Sequence, residues 1–320
     1  MKHLEDTPWW ICDDEDTNYV AYSDTDSIYI HAEPLLRHRY ENFDKMSEEE
    51  KDNVLENIAI GYEKLVTKSY DFLTTQCFNV KGEHRLEMKT ECVIRSAYFR
   101  ATRRYAQWIT KQEGIVKESL DVKGLEFKKA NFPPVLGEFF KKVLVDVLKG
   151  TKQNEIDDRV KKFKKQILDG TIPLTKLGNP TSVKQIKKHQ GTLAKAGEMF
   201  STFNRVENKV GNKLGAPAAV KAAIRYNDLL RFWKLDNKHE LITNGTKIKW
   251  IYLKPNPYQI EEIAFLDYDM PQKINEFIEK YADRKKVFES ILLNKLEGFY
   301  SDLGWSLNLN PYSDLFFSFE

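Results

Sequence analysis

A proline pair, Pro133-Pro134, separates two stretches of chain whose side-chain patterns suit different kinds of layer. Upstream, HRLEMKTECVI at 84–94, SAYFRATRRYAQWI at 96–109 and SLDVKGLEFKK at 119–129 are rich in β-branched and aromatic residues, and each reads as a strand. A Lys-Gln-Glu-Gly turn at 111–114 joins the last two. Downstream, apolar residues recur three and four positions apart, and proline suits the first turn of a helix. The chain is therefore expected to be α+β, with a boundary near residue 130. An antiparallel β-rich domain spans 1–130, a mainly helical domain follows over 131–308, and a short tail covers 309–320.

The individual elements follow from local signals. Ser47 and Glu50 stand at capping-box spacing ahead of Val54, Ile58, Tyr62, Leu65 and Tyr70, which predicts one long helix to cover the strands. Further helices are predicted over 134–149, 153–168, 182–188, 217–233 and 271–297. In the second domain the one strand predicted is KIKWIYLK at 247–254.

A chain of 320 residues with 41% apolar content can bury two cores. Cys12, Cys77 and Cys92 show no paired spacing and the six histidines are scattered, so neither a disulfide framework nor a zinc site is indicated. No apolar run reaches membrane-spanning length, which points to a soluble protein of a reducing, cytoplasmic compartment with no membrane partner. The net charge of +2 conceals an asymmetry: residues 1–60 hold 16 acidic and 5 basic side chains, residues 121–200 hold 9 and 17. A basic stretch beside an acidic one fits a protein that grips a phosphate backbone and carries a metal, although KKFKKQ at 161–166, taken alone, reads as the solvated face of a helix.

The most informative segment is YVAYSDTDSIYIH at 19–31. It reads as a hairpin with acids at its tip. In an extended chain Asp24 and Asp26 would face the same way and Thr25 the other. Two carboxylates so close repel unless a cation lies between them, and a hard divalent ion suits oxygen ligands. The alternative is that aspartate and serine in a tight turn bond their own backbone.

Taken in order, these features resemble the C-terminal part of a family B DNA polymerase, the replicative enzymes of tailed phages in particular. Tyr22-Ser23-Asp24-Thr25-Asp26-Ser27 is similar to motif C, usually written Y-G-D-T-D-S, with serine in place of glycine at 23. Arg103-Arg104-Tyr105 resembles the K-x-Y motif beside the primer strand, with arginine in place of lysine at 103, and Lys123-Gly124-Leu125-Glu126, followed by Lys129 where the family tends to have arginine, resembles the strand that closes the palm. GAPAAVKAAIRYNDLL, KIKWIYLKPNPYQI and LLNKLEGFYSDLGW are similar to thumb segments.

The resemblance implies a DNA-directed DNA polymerase acting on primer-template DNA and deoxynucleoside triphosphates, in the host cytoplasm if phage-encoded. It implies two Mg2+ ions, about 4 Å apart, that activate the primer hydroxyl and neutralise the leaving group. Asp26 takes the metal-bridging role, Asp24 a supporting one, and Glu91 falls where phage relatives carry a further acid. Arg103, Arg104, Tyr105, Lys123, Lys128 and Lys129 take DNA contacts, as do Lys141, Lys142 and the lysines from 184 to 188. Neither motif A, D-x-x-S-L-Y-P, nor the fingers motif, K-x-x-x-N-x-x-Y-G, nor exonuclease motifs occur in this sequence. The chain is thus expected to be the C-terminal subunit or fragment of a polymerase, completed by an N-terminal subunit. In the tail, Leu315, Phe316, Phe317 and Phe319 match an aromatic peptide that binds a sliding clamp, or else dock on the chain's own thumb. Two other readings stand beside this one: a non-catalytic DNA-binding or clamp-associated accessory factor, and an unrelated two-metal nuclease or nucleotidyltransferase with a complete site.

Overall fold

In the computed structural model, which describes residues 19–192, 200–207 and 212–307, the chain divides between Leu125 and Glu126. The predicted clamp-binding residues Leu315, Phe316, Phe317 and Phe319 lie outside the described residues.

The first unit begins with the hairpin of strands β1 (Val20–Asp24) and β2 (Ser27–Ile30), paired Tyr22 to Tyr29, Ser23 to Ile28 and Asp24 to Ser27. A short helix α1 (Glu33–Arg39), opened by Pro34, buries Leu35 and Leu36. Helix α2 (Glu48–Phe72) starts at the predicted capping box: the Ser47 hydroxyl accepts from the Glu50 amide while the Glu50 carboxylate accepts from the Ser47 amide. It ends in a π-helical stretch, Leu73–Cys77. Strands β3 (Cys92–Ala101), β4 (Arg104–Gln112) and β5 (Ile115–Lys123) form an antiparallel sheet with β4 in the middle, buried from Tyr105 to Lys111. Charged pairs bind α2 to this sheet. Arg95 holds Glu48 and Asp52, both at 3.0 Å, and the buried Lys111 ammonium donates to Asn53 and Glu56, both at 2.7 Å.

Three sequence expectations for this unit need correction. The stretch 96–109 is two strands, because Thr102-Arg103 makes a turn in which Arg103 takes a positive φ of 60°. Residues 84–91 form no strand, and pairing begins at Cys92. The strand expected to reach 129 stops at Lys123, where Gly124 turns the backbone with a φ of 64°, and Glu126–Lys128 is a 3-10 turn. The turn at 111–114 is as read: Glu113 and Gly114 both have positive φ, as a tight two-residue hairpin loop requires.

The second unit contains helices α3 (Pro134–Leu148), α4 (Gln153–Leu168) and the single turn α5 (Leu174–Leu177), then strand β6 (Asn179–Ser182) and the turn α6 (Ile186–His189). A two-residue ladder of β7 (Val206–Glu207) and β8 (Lys213–Leu214) precedes helix α7 (Ala218–Phe232). Strands β9 (Lys247–Tyr252) and β10 (Glu262–Phe265) follow, then helices α8 (Gln272–Tyr281), α9 (Arg284–Val287), a π-helical stretch Phe288–Leu293, and α10 (Asn294–Asp302). In α4 the burial of Ile156, Val160, Phe163 and Ile167 leaves Lys162 and Lys165 of the KKFKKQ run in solvent, the amphipathic arrangement of a helix on a core.

This unit holds more strand than expected, in an antiparallel sheet of order β10-β9-β6. Residues 179–182 carry Pro180 and no strand is expected there, yet β6 lies at the sheet edge, where a missing amide donor costs no ladder bond. The helix expected at 182–188 is thereby reduced to 186–189. All four residues of β10 are buried, a run with no alternation to reveal it. The helix predicted over 271–297 is broken at Ala282-Asp283, where Asp283 caps the next turn by accepting from the Lys286 amide.

Candidate functional site

The tip of the first hairpin is strained. Thr25 is β-branched yet takes a positive φ of 52°, and the Asp26 amide donates to the Asp24 carbonyl at 2.6 Å across this single residue. The Ser27 hydroxyl donates to the same carbonyl at 3.2 Å, and the Thr25 hydroxyl donates to the Asp24 carboxylate at 3.2 Å. Residues 24–26 are therefore not extended, and the argument that alternate side chains of a strand share a face does not apply to this pair. Part of the turn does bond its own backbone.

Asp24 and Asp26 stand in different environments. The Arg103 guanidinium grips Asp24 through two bonds, Nε to Oδ2 at 2.9 Å and Nη2 to Oδ1 at 3.2 Å. These bonds, aided by the Thr25 hydroxyl against a small cost of burial, hold the Asp24 carboxyl below the ordinary range. Asp26 is exposed, and its carboxylate has no partner among the described residues.

The Arg103 turn is fixed from two sides. Its amide donates to the Tyr22 hydroxyl at 3.0 Å. From the other side Gly124 presses on it, so that a Cβ at 124 would lie 2.1 Å from the Arg103 carbonyl oxygen. The side chain of Arg104 reaches back to the Gly124 carbonyl at 3.5 Å, and Lys123 Nζ stands 5.8 Å over the Tyr105 ring. The Tyr105 hydroxyl, the largest influence on Lys123, keeps its ammonium above the ordinary lysine range.

Beneath these polar groups lies an aromatic cluster. Tyr22 and Tyr29 from the hairpin meet Phe99 and Tyr105 from the sheet, with ring centroids 5.4–5.7 Å apart in tilted and edge-on pairs. The hydroxyls of Tyr29 and Tyr105 bond each other at 2.9 Å. Burial, then that bond, raises the Tyr29 hydroxyl. Phe99 and Tyr29 escape a motif search, and their one signal is cross-strand: Phe99 pairs directly with Tyr105 and Tyr29 with Tyr22.

The structure thus brings together Asp24, Arg103, Arg104, Tyr105 and Lys123, drawn from three separated segments. Glu91 bonds none of them directly, but its negative charge acts on the Lys123 ammonium and on the Tyr29 hydroxyl. Glu91 precedes the ten-residue strand β3, its carbonyl accepting from the Glu113 amide at 2.9 Å, whereas Arg103 follows the far end of that strand. Glu91 makes no hydrogen bond or ion pair with Asp24 or Asp26 among the described residues. Lys128 and Lys129 are exposed and belong to the second unit. Glu126 pairs with Lys295 of α10.

The carboxylates present do not by themselves fit a metal pair. One is held by arginine, and among the described residues no group of three or more His, Cys, Asp or Glu is arranged to hold a metal ion. Nor is any described helix long and apolar enough to cross a membrane. No protein-family model matches this chain, and no curated protein matches it.

Proposed function

We propose that this chain is the C-terminal part of a family B DNA polymerase, supplying a motif C hairpin and a DNA-gripping thumb to an enzyme completed by another chain. The observation that carries the reading is the meeting of Tyr22-Ser23-Asp24-Thr25-Asp26-Ser27, Arg103-Arg104-Tyr105 and Lys123-Gly124 around one turn. These are the segments that carry the resemblance, and they meet closely: Tyr22 holds the Arg103 amide, and Gly124 leaves room for the Arg103 carbonyl that a side chain would not. Arg103 is 73% exposed, and the Asp26 carboxylate is exposed as well. Arg103, Arg104 and Lys123 offer cations to a strand backbone, and the exposed Lys141, Lys142, Lys184, Lys187 and Lys188 of the second unit offer more.

The hairpin invites a covering chain. Its inner face packs on Phe99 and Tyr105, while Val20, Ile28 and Ile30 are exposed, and its two strands form a sheet of their own among the described residues. Apolar surface so exposed is the mark of a partner. That partner would bring the remaining metal ligand, the triphosphate-binding helix and the exonuclease.

Primer extension with Mg2+ and all four triphosphates tests this, using the chain alone and then mixed with the candidate N-terminal subunit. Activity in the mixture alone, abolished by Asp26→Asn, supports the proposal. Activity from the isolated chain would instead indicate a complete two-metal site. One observation favours the accessory-factor reading, namely that the Arg103 guanidinium already occupies Asp24. Under that reading DNA and clamp binding survive Asp26→Asn and no mixture polymerises.

A further inference from the structure

A pocket of about 200 Å3 opens on one face of the β10-β9-β6 sheet, wholly within the second unit. Phe132, Trp250 and Tyr252, all half-buried, wall it. Trp250 and Tyr252 alternate on the middle strand and so share a face, with ring centroids 5.0 Å apart at 81°. Asn179 pairs directly with Trp250 in the register of β6 and β9, placing its carboxamide beside the indole. The π-helical stretch Phe288–Leu293 borders the pocket through Ile291, and such stretches recur at functional sites.

The cleft is open to solvent and leaves the half-buried Trp250 and Tyr252 rings accessible from it. Here the Trp250 N–H and the Asn179 carboxamide have no hydrogen-bond partner among the described residues. Two cations stand nearby. Lys295 is neutralised by Glu126. Lys286 lies 4.5 Å over the Tyr252 ring, exposed and without a carboxylate partner among the described residues. Apolar ring faces, an amide able both to donate and to accept, and a cation over one of the lining rings describe the complement of one ligand class. That ligand is a planar heterocycle with a hydrogen-bonding edge, attached to a phosphate.

We propose that this pocket receives one unpaired nucleobase of a single-stranded nucleic acid, stacked against Trp250, with Lys286 meeting the adjoining phosphate. The site belongs to the second unit alone and does not depend on how the hairpin functions. Stacking on an aromatic side chain tolerates every base, so the pocket retains a strand without reading its sequence.

The test is a binding titration of the full chain with a fluorescent single-stranded oligonucleotide, a duplex of equal length, and free dAMP as competitor. Trp250→Leu should weaken single-strand binding on the order of ten-fold, the usual effect of losing one stacked base, and leave duplex binding unchanged. Lys286→Gln, at an exposed position that folding does not require, should weaken single-strand binding less and reduce its salt dependence. Equal losses on single strand and duplex, or no loss in either variant, would overturn the proposal. Competition by dAMP as effective as the strand itself would also overturn it, assigning the pocket to a free nucleotide.

Discussion

Gly124 approaches Arg103 so closely that a single added methyl group would fall 2.1 Å from the Arg103 carbonyl oxygen, inside any real contact distance. Two requirements meet at this glycine: the close approach and a φ of 64°, which side chains disfavour. Gly124→Ala should therefore cost at least about 1–3 kcal/mol from backbone strain alone. It should also displace the Arg103 turn. Urea unfolding of the two proteins measures the first effect. Acid titration of Asp24, followed by its side-chain carboxyl resonance, measures the second, since a released carboxyl returns toward its ordinary range.

The bidentate grip of Arg103 on Asp24 sets guanidinium against metal. A divalent ion at the hairpin tip must either share Asp24 with Arg103 or displace it. Arg103→Gln removes the competitor without adding charge, so binding of Mn2+ to the isolated chain should strengthen several-fold. Arg103→Lys should fall between the two, because a point charge lacks the two-pronged fit to a carboxylate. Titration followed by the Mn2+ paramagnetic resonance signal distinguishes these outcomes. Equal affinity in all three proteins would mean that Asp24 takes no part in metal binding.

Acid stability follows from the same pair. The Asp24 carboxyl is held below its ordinary value, so the pair's contribution is fully present above about pH 4 and fades as pH falls through the lowered value. Arg103 is largely exposed, which keeps that contribution small and sensitive to salt. Wild type and Asp24→Asn should differ in urea midpoint at pH 6 in low salt and converge once the pH falls below the lowered value of Asp24. A difference that does not shrink at all as the Asp24 carboxyl is protonated, followed by its side-chain resonance, would assign it to something other than the ion pair.

Elements with their own local signal were legible in the sequence. The capping box of α2, the prolines opening α3 and α7, and the Glu113-Gly114 turn each declare themselves within a few residues. What escaped was settled by distant partners. Thr102-Arg103 carries no turn-forming residue, and it turns because Tyr22 and Gly124 brace it from other segments. Strand β6 exists because β9 offers an edge that Pro180 can occupy. The candidate site was legible as motifs and illegible as geometry. The sequence pattern placed Asp24 and Asp26 together on a strand face. The structure instead puts a left-handed threonine between them and an arginine on one of them.

The last prediction concerns the charges that fasten α2 to the sheet. Lys111 is buried on the central strand β4 with its ammonium bonded to Asn53 and Glu56, both at 2.7 Å. Its stem is buried along with its charge, so truncation loses packing as well as charge. Lys111→Ala leaves Glu56 without its partner, yet Glu56 is 26% exposed and water reaches it. The cost should accordingly be about 1–3 kcal/mol, short of the 3–5 kcal/mol typical when a fully buried pair is broken. Lys111→Met keeps the stem and drops the charge, and should recover part of that loss. A double-mutant cycle with Glu56→Gln isolates the ionic contribution. If Lys111→Met is no more stable than Lys111→Ala, the stability comes from the hydrogen bonds at the end of the chain rather than from the stem.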